Sequence, residues 1–130
     1  MIKSALILDD SPSARLDLKT KVDIIASPGE LYEASNYEEA VQVMLQHSID
    51  VVFVDLSMPK KNGMDFIVDF IHTQESLKDT PVIVTTSVDK NSVLRKALKG
   101  QVISLLTKPV NMDLLENAIV KISYKQTTQN

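Results

Sequence analysis

Four short runs in this chain are apolar almost without interruption, and that continuity constrains the fold more than any other feature. They are Ala5-Leu6-Ile7-Leu8, Val51-Val52-Phe53-Val54, the segment Val82 to Thr85 and the segment Val102 to Leu106. Successive side chains of a strand point to opposite faces of its sheet. A strand apolar along its whole length therefore needs cover on both faces, as in a parallel sheet held between two helix layers. Parallel neighbours need crossover connections, which are nearly always right-handed, so few topologies remain.

The intervals supply the helices. Ser11 and Pro12 are a favoured cap and first-turn pair, and Ala14, Leu18, Val22 and Ile25 follow at helical spacing. A weak strand covers Leu31 to Ala34. Asn36 then caps a second helix with Glu39 three residues on, a capping-box pattern, and Ala40, Val41, Met44 and Leu45 mark one face. A loop from Leu56 to Gly63 follows the third strand, and Phe66, Ile67, Phe70 and Ile71 form the stripe of a third helix. Leu94, Ala97 and Leu98 predict a fourth helix stopped at Gly100, and Asn111 caps a fifth with Leu115, Ala118, Ile119 and Ile122. Five strands alternating with five helices predict a doubly wound α/β domain over residues 1–125, with a polar, frayed tail over 126–130. No repeat, low-complexity stretch or interdomain linker interrupts the alternation.

The runs end at charged residues. Asp9 and Asp10 follow the first strand, Asp55 the third, and Lys108, with Pro109 behind it, the fifth. Ligands of open α/β sheets bind outside the carboxyl ends of the strands, so three strands deliver carboxylates and an ammonium into one volume. Crowded carboxylates repel unless a cation or a lysine holds them. Taken singly, each residue has an ordinary explanation: Asp9-Asp10-Ser11-Pro12 as a turn and cap, Asp55 as a solvated strand end, Lys108 as a surface lysine. Taken together, they fit a magnesium site, because that ion accepts one or two carboxylates and leaves positions for phosphate oxygens. Asp55 beside such an ion can act as a nucleophile toward a phosphoryl group, with Lys108 as a fixed positive charge. Thr85, Thr86 and Ser87 close the fourth strand, and a hydroxyl there can donate to a phosphoryl oxygen.

At these residues the chain resembles the receiver domain of two-component response regulators. The resemblance covers essentially the whole length. It is carried by Asp9-Asp10, by Asp55 with Met58-Pro59 and Gly63 downstream, by Thr86 and by Lys108-Pro109. It implies the flavodoxin-like strand order 2-1-3-4-5, flanked by five helices. It also implies that Asp55 is the phosphoacceptor, that Asp9, Asp10 and the backbone carbonyl of Ser57 hold magnesium with it, and that Thr86 and Lys108 meet the phosphoryl group. The implied phosphodonor is a sensor histidine kinase or a phosphotransfer protein, and the implied output is a change in binding to another protein. Such a protein is not a turnover enzyme, since it catalyses only its own phosphorylation and dephosphorylation. Two positions depart from the family's habit: Leu105 stands where Tyr or Phe is frequent, and Val110 follows the Lys-Pro pair where Phe is common. Neither touches the phosphorylation chemistry; both bear on how it is reported to partners.

Bulk properties narrow the alternatives. The 130 residues suffice for one core without staples, and the absence of cysteine excludes thiol catalysis, thiolate metal sites and disulfides. A net charge of -3 argues against nucleic acid as a direct partner. No apolar run approaches a membrane span or a signal-peptide core, so a cytoplasmic protein without membrane contact is expected. A magnesium-dependent phosphohydrolase with an aspartyl nucleophile needs a second acid two residues on, where Ser57 stands. An FMN module needs a phosphate loop after strand one, where two aspartates repel phosphate. A receiver-like docking module without phosphorylation has no use for a complete acidic site. His47 and His72 are too few for a histidine metal site, Lys60-Lys61 reads as a solvated loop, and Gly29, Gly63 and Gly100 form no phosphate-binding loop. The alternation leaves no stretch for an output domain, so the chain is either a stand-alone regulator or one domain of a longer one.

Overall fold

The computed structural model describes residues 2–56, 63–87 and 102–128. Its strands are β1 (Ser4–Leu8), β2 (Glu30–Ala34), β3 (Val51–Asp55), β4 (Val82–Thr86) and β5 (Ser104–Thr107). Helix α1 (Pro12–Ile25) follows β1, α2 (Tyr37–Gln46) follows β2, and a helical stretch α3 over 63–73 follows β3. A C-terminal helix (Met112–Thr128) follows β5. All neighbouring strands pair in parallel, in the order β2-β1-β3-β4-β5 that the family resemblance implies. The fourth of the five predicted helices, with Leu94, Ala97 and Leu98, lies outside the described residues.

The pleat divides each strand between two cores. Leu6, Leu8, Val52, Val54, Val82 and Val84 pack with Ala40 and Met44 of α2 and with Phe66, Ile67, Phe70 and Ile71 of α3. Ala5, Ile7, Val51, Phe53 and Ile83 pack on the other face with Leu18 and Val22 of α1 and with Leu115, Ala118, Ile119 and Ile122 of the C-terminal helix. Each large side chain so buried contributes about 1.5–3 kcal/mol, and this two-sided burial explains the continuous apolar runs.

The caps act as their residue types dictate. Ser11 Oγ accepts from the Ala14 N–H at 3.2 Å, Asn36 Oδ1 from Glu39 N–H at 2.8 Å, and Asn111 Oδ1 from Leu114 N–H at 3.0 Å. Glu39 reaches back as in a capping box, but one residue further, to the Ser35 N–H at 2.7 Å.

Three boundaries differ from the sequence reading. Strand β5 begins at Ser104 and ends at Thr107, so Lys108 follows it directly. α3 opens as α-helix over Gly63–Asp65, widens to a π-helix over Phe66–Phe70 and tightens to a 3-10 turn over Ile71–Thr73. Apolar residues repeating every four positions suit that wider turn, and all four stripe residues are buried. The C-terminal helix runs to Thr128, into the polar segment that begins at Gln126, because Lys125 and Gln126 are good helix formers and nothing there breaks the helix.

Candidate functional site

Strands β1, β3, β4 and β5 end on one edge of the sheet, and the chemistry-bearing residues collect there. Asp9 and Asp55 are 3% and 2% exposed, so their carboxylates must find partners within the protein. Lys108 supplies one for both: its Nζ lies 2.7 Å from Asp9 Oδ2 and 3.4 Å from Asp55 Oδ1. The other oxygen of Asp9, Oδ1, accepts from the Ser11 N–H at 2.9 Å. Asp10 is exposed beside them. One oxygen each from Asp9, Asp10 and Asp55 lie within 4.8 Å of one another.

The backbone explains why these groups converge. The Leu56 N–H donates to the Thr85 carbonyl at 3.1 Å, and the Lys108 N–H to the Thr86 carbonyl at 2.8 Å, so both ladders continue past the strand ends. The segment after Lys108, joined to Pro109 by a cis peptide, is tied down by Lys21 of α1, whose Nζ donates to the Val110 carbonyl at 2.8 Å. α3 starts against the other side of Asp55. A β-carbon on Gly63 would overlap the Asp55 carbonyl oxygen and Val54 Cγ1, so only glycine permits this approach.

The electrostatics follow from the count. Three carboxylates against one ammonium leave the cluster two charges negative, with oxygen acceptors and, among the described residues, no competing soft ligand. That donor set fits a small hard cation, magnesium among them. Burial is the largest single influence on Lys108 and pulls its pKa down. The hydrogen bond to Asp9 and the charges of Asp55 and Asp9 together outweigh it, so the pKa is raised above its ordinary value of 10.5.

The two threonines of β4 part company. Thr85 is in register with Asp55, so the two side chains emerge on one face, and Thr85 lines a cleft of about 310 Å³ together with Asp9, Lys108 and Leu18 of α1. Thr86, the residue matched by the family resemblance, is 1% exposed and alternates to the face of α2 and α3; its backbone carbonyl holds Lys108. Ser87 is exposed, and Ser57 lies outside the described residues.

Neither histidine belongs here. Both lie at the C-terminal ends of helices that return from this edge: His47 caps α2 and stacks on Tyr32 at 4.3 Å, and His72 ends α3, its pKa lowered by burial.

Sequence reasoning passed over Arg15. Its Nη1 donates to the Asp9 carbonyl at 2.7 Å and its Nε lies 3.2 Å from Glu33 Oε1. One signal was available: α1 carries no acid in its first turn, and a cation that near a helix N-terminus opposes the helix dipole unless a partner holds it.

The family model of the response regulator receiver domain matches residues 5–120. The chain belongs to that family. It is 29% identical over 126 residues to the sensory transduction protein LytR of Staphylococcus haemolyticus, covering 96% of this chain and 47% of that one. It is also 29% identical over 103 residues to the transcriptional regulatory protein HptR of Staphylococcus aureus, covering 77% and 39%. This receiver domain thus spans less than half the length of these curated relatives. Among solved structures it resembles the REC domain of AraT, a response regulator from Geobacillus stearothermophilus, with a TM-score of 0.83, 30% identity and coverage of 99% and 98%. It shares its fold with the chemotaxis protein CheY4 of Vibrio cholerae, with a TM-score of 0.82, 24% identity and coverage of 94% and 99%. No helix among the described residues is long and apolar enough to cross a membrane.

Proposed function

We propose that this receiver domain is a phosphorylation-dependent switch whose phosphoacceptor is Asp55. The observation that carries the reading is the gathering of Asp9, Asp10 and Asp55 within 4.8 Å, with Lys108 bridging two of them, at the carboxyl edge of the sheet. Asp9, Asp10 and Asp55 are the residues that would hold magnesium, together with the backbone carbonyl of Ser57. When bound, the ion offsets the negative charge of the cluster and spreads the charge that builds on the transferring oxygens.

The remaining work falls to the chain itself. A carboxylate oxygen of Asp55 attacks phosphorus and forms an acyl phosphate. The bond from phosphorus to the donor breaks, and its electron pair leaves with the donor, an imidazole nitrogen for a histidine kinase or phosphotransfer protein. Lys108 faces the developing charge with an ammonium already held in place, so little reorganisation is needed. Thr86, one residue past the position in register with Asp55, supplies a hydroxyl to the new phosphoryl oxygens once its side chain turns from the α2 and α3 face toward the sheet edge. The modified side chain gains about one negative charge, by analogy with other phosphorylated residues, and this biases the loops at the sheet edge. The reaction is stoichiometric, which makes the domain a switch in the cytoplasm and not a turnover enzyme. Its output is altered binding to another protein.

Incubation with acetyl phosphate and magnesium, followed by intact-mass measurement, should show one added phosphoryl group. Asp55→Asn should show none, and EDTA should suppress the reaction in the parent. Equal labelling of Asp55→Asn would overturn the assignment.

A further inference from the structure

We infer that Arg15 is a positioning residue that sets the orientation of the Asp9–Asp10 peptide and thereby the magnesium affinity of the site; this rests on the reading of Asp9 and Asp10 as magnesium ligands. The two acids are held by different means. The Asp9 side chain is fixed at both oxygens, by Lys108 and by the Ser11 N–H, and its N–H donates to the Ala34 carbonyl at 3.1 Å. Asp10 is exposed, so its direction comes from the backbone. The peptide joining the two acids is planar, and turning its carbonyl turns the N–H and Cα of Asp10 with it. Arg15 Nη1 holds that carbonyl at 2.7 Å.

The guanidinium is itself clamped. Its Nε lies 3.2 Å from Glu33 Oε1, at the end of the edge strand β2, and its side chain is only 17% exposed. Two separate donors of one rigid fork thus join β2 to the backbone of the acid pair. A lysine has the charge but not the fork. Lys19, one turn further along α1, also reaches Glu33, at 3.5 Å to Oε2, which makes it the natural control.

Charge and positioning pull in opposite directions here. A cation near the site weakens magnesium binding by repulsion, so if charge were the only role of Arg15, its removal would tighten binding. If Arg15 orients the peptide, its loss weakens binding. Arg15→Lys keeps the charge and removes the fork, and so isolates the second effect.

The test is a magnesium titration of the intact chain, read from the backbone amide shifts of Asp9, Asp10 and Ser11, with melting temperatures in EDTA. Arg15→Lys should bind magnesium about tenfold more weakly, the lower end of what outer-shell partners of metal ligands contribute. Lys19→Ala should stay within about twofold of the parent. Glu33→Gln should weaken binding by a smaller factor, and adding it to Arg15→Lys should change little more, because it acts through Arg15. Parental affinity in Arg15→Lys, an equal loss in Lys19→Ala, or losses that multiply in the double variant would each overturn the inference while leaving the magnesium reading intact. If the parent itself shows no magnesium-dependent shift at these amides, the underlying reading falls and the inference with it.

Discussion

Replacing Lys108 by methionine tests the electrostatic core of the site most directly. The substitution keeps the length of the side chain and deletes its charge, leaving two carboxylates that are 3% and 2% exposed without their shared cation. At an effective dielectric of ~20, ammonium–carboxylate separations of 2.7 and 3.4 Å correspond to gross attractions of ~6 and ~5 kcal/mol. Desolvation of Lys108 opposes that sum, yet its pKa remains raised, so the balance favours the charged form. Breaking a buried ion pair by removing one member costs about 3–5 kcal/mol. Lys108 keeps 23% of its side chain in solvent, which argues for the lower end, about 3 kcal/mol. At about 3–4 °C per kcal/mol for a domain of this size, the melting temperature in EDTA at pH 7 should fall by roughly 10 °C.

The pH dependence gives a second reading of the same quantity. A group whose folded pKa is raised adds stability that is fully present below its unfolded pKa and is lost as the pH rises through the folded one. The gap between parent and Lys108→Met should therefore be constant around neutrality and close only as the pH climbs beyond 10.5. Magnesium should narrow the gap at pH 7, because a second cation then neutralises the same acids. A variant that melts within 2 °C of the parent in EDTA would refute the reasoning: Lys108 would then be a spectator.

Further outcomes follow from the same geometry. Both oxygens of Asp9 are already engaged and Asp10 is exposed, so Asp10→Ala should weaken magnesium binding by about tenfold or more, with Asp9→Ala milder, as measured by calorimetric titration. The fold should survive Asp10→Ala to within ~0.5 kcal/mol, since the side chain lies at a polar edge. Gly63→Ala should destabilise by about 2–3 kcal/mol in urea melts, because the added carbon meets the Asp55 backbone instead of a side chain that can rotate away.

What could be read in the sequence was whatever depends on one element at a time. Continuous apolar runs gave away two covered faces, and Ser11, Asn36 and Asn111 announced helix starts because a cap acts on the three or four residues that follow it. Asp9, Asp55 and Lys108 were legible because the carboxyl ends of parallel strands share an edge, so one-dimensional position implies three-dimensional meeting. What escaped depends on pairs of elements. Arg15 matters through Glu33, 18 residues away on a strand whose neighbour is set by the topology. The division between Thr85 and Thr86 depends on register against Asp55, and a one-residue slip would exchange their faces. The π turn of α3 escaped as well, because a repeat every four positions fits an ordinary α-helix equally.

The positions of Lys108, Thr86 and Leu105 also bear on how a phosphorylated Asp55 would be felt elsewhere. Lys108 sits closer to Asp9 than to Asp55 by less than an ångström. A second negative charge on Asp55 tips that balance toward Asp55, and so small a shift needs no rearrangement of the strand. Its consequences are nevertheless carried outward by backbone contacts. The Lys108 N–H is bonded to the Thr86 carbonyl, and two residues on, the Val110 carbonyl is bonded to Lys21 of α1 while its side chain is buried against the C-terminal helix layer. Leu105 enters differently: it is in register with Val84, half-buried against the core beneath α2 and α3, and has no polar tip to expose or hide. A ring carrying a hydroxyl at that position can report by changing its hydration; a leucine can report only by repacking. The segment from Lys108 to Val110, bonded to β4 on one side and to α1 on the other, is therefore a connection through which a phosphoryl charge on Asp55 would be felt in the sheet and in α1.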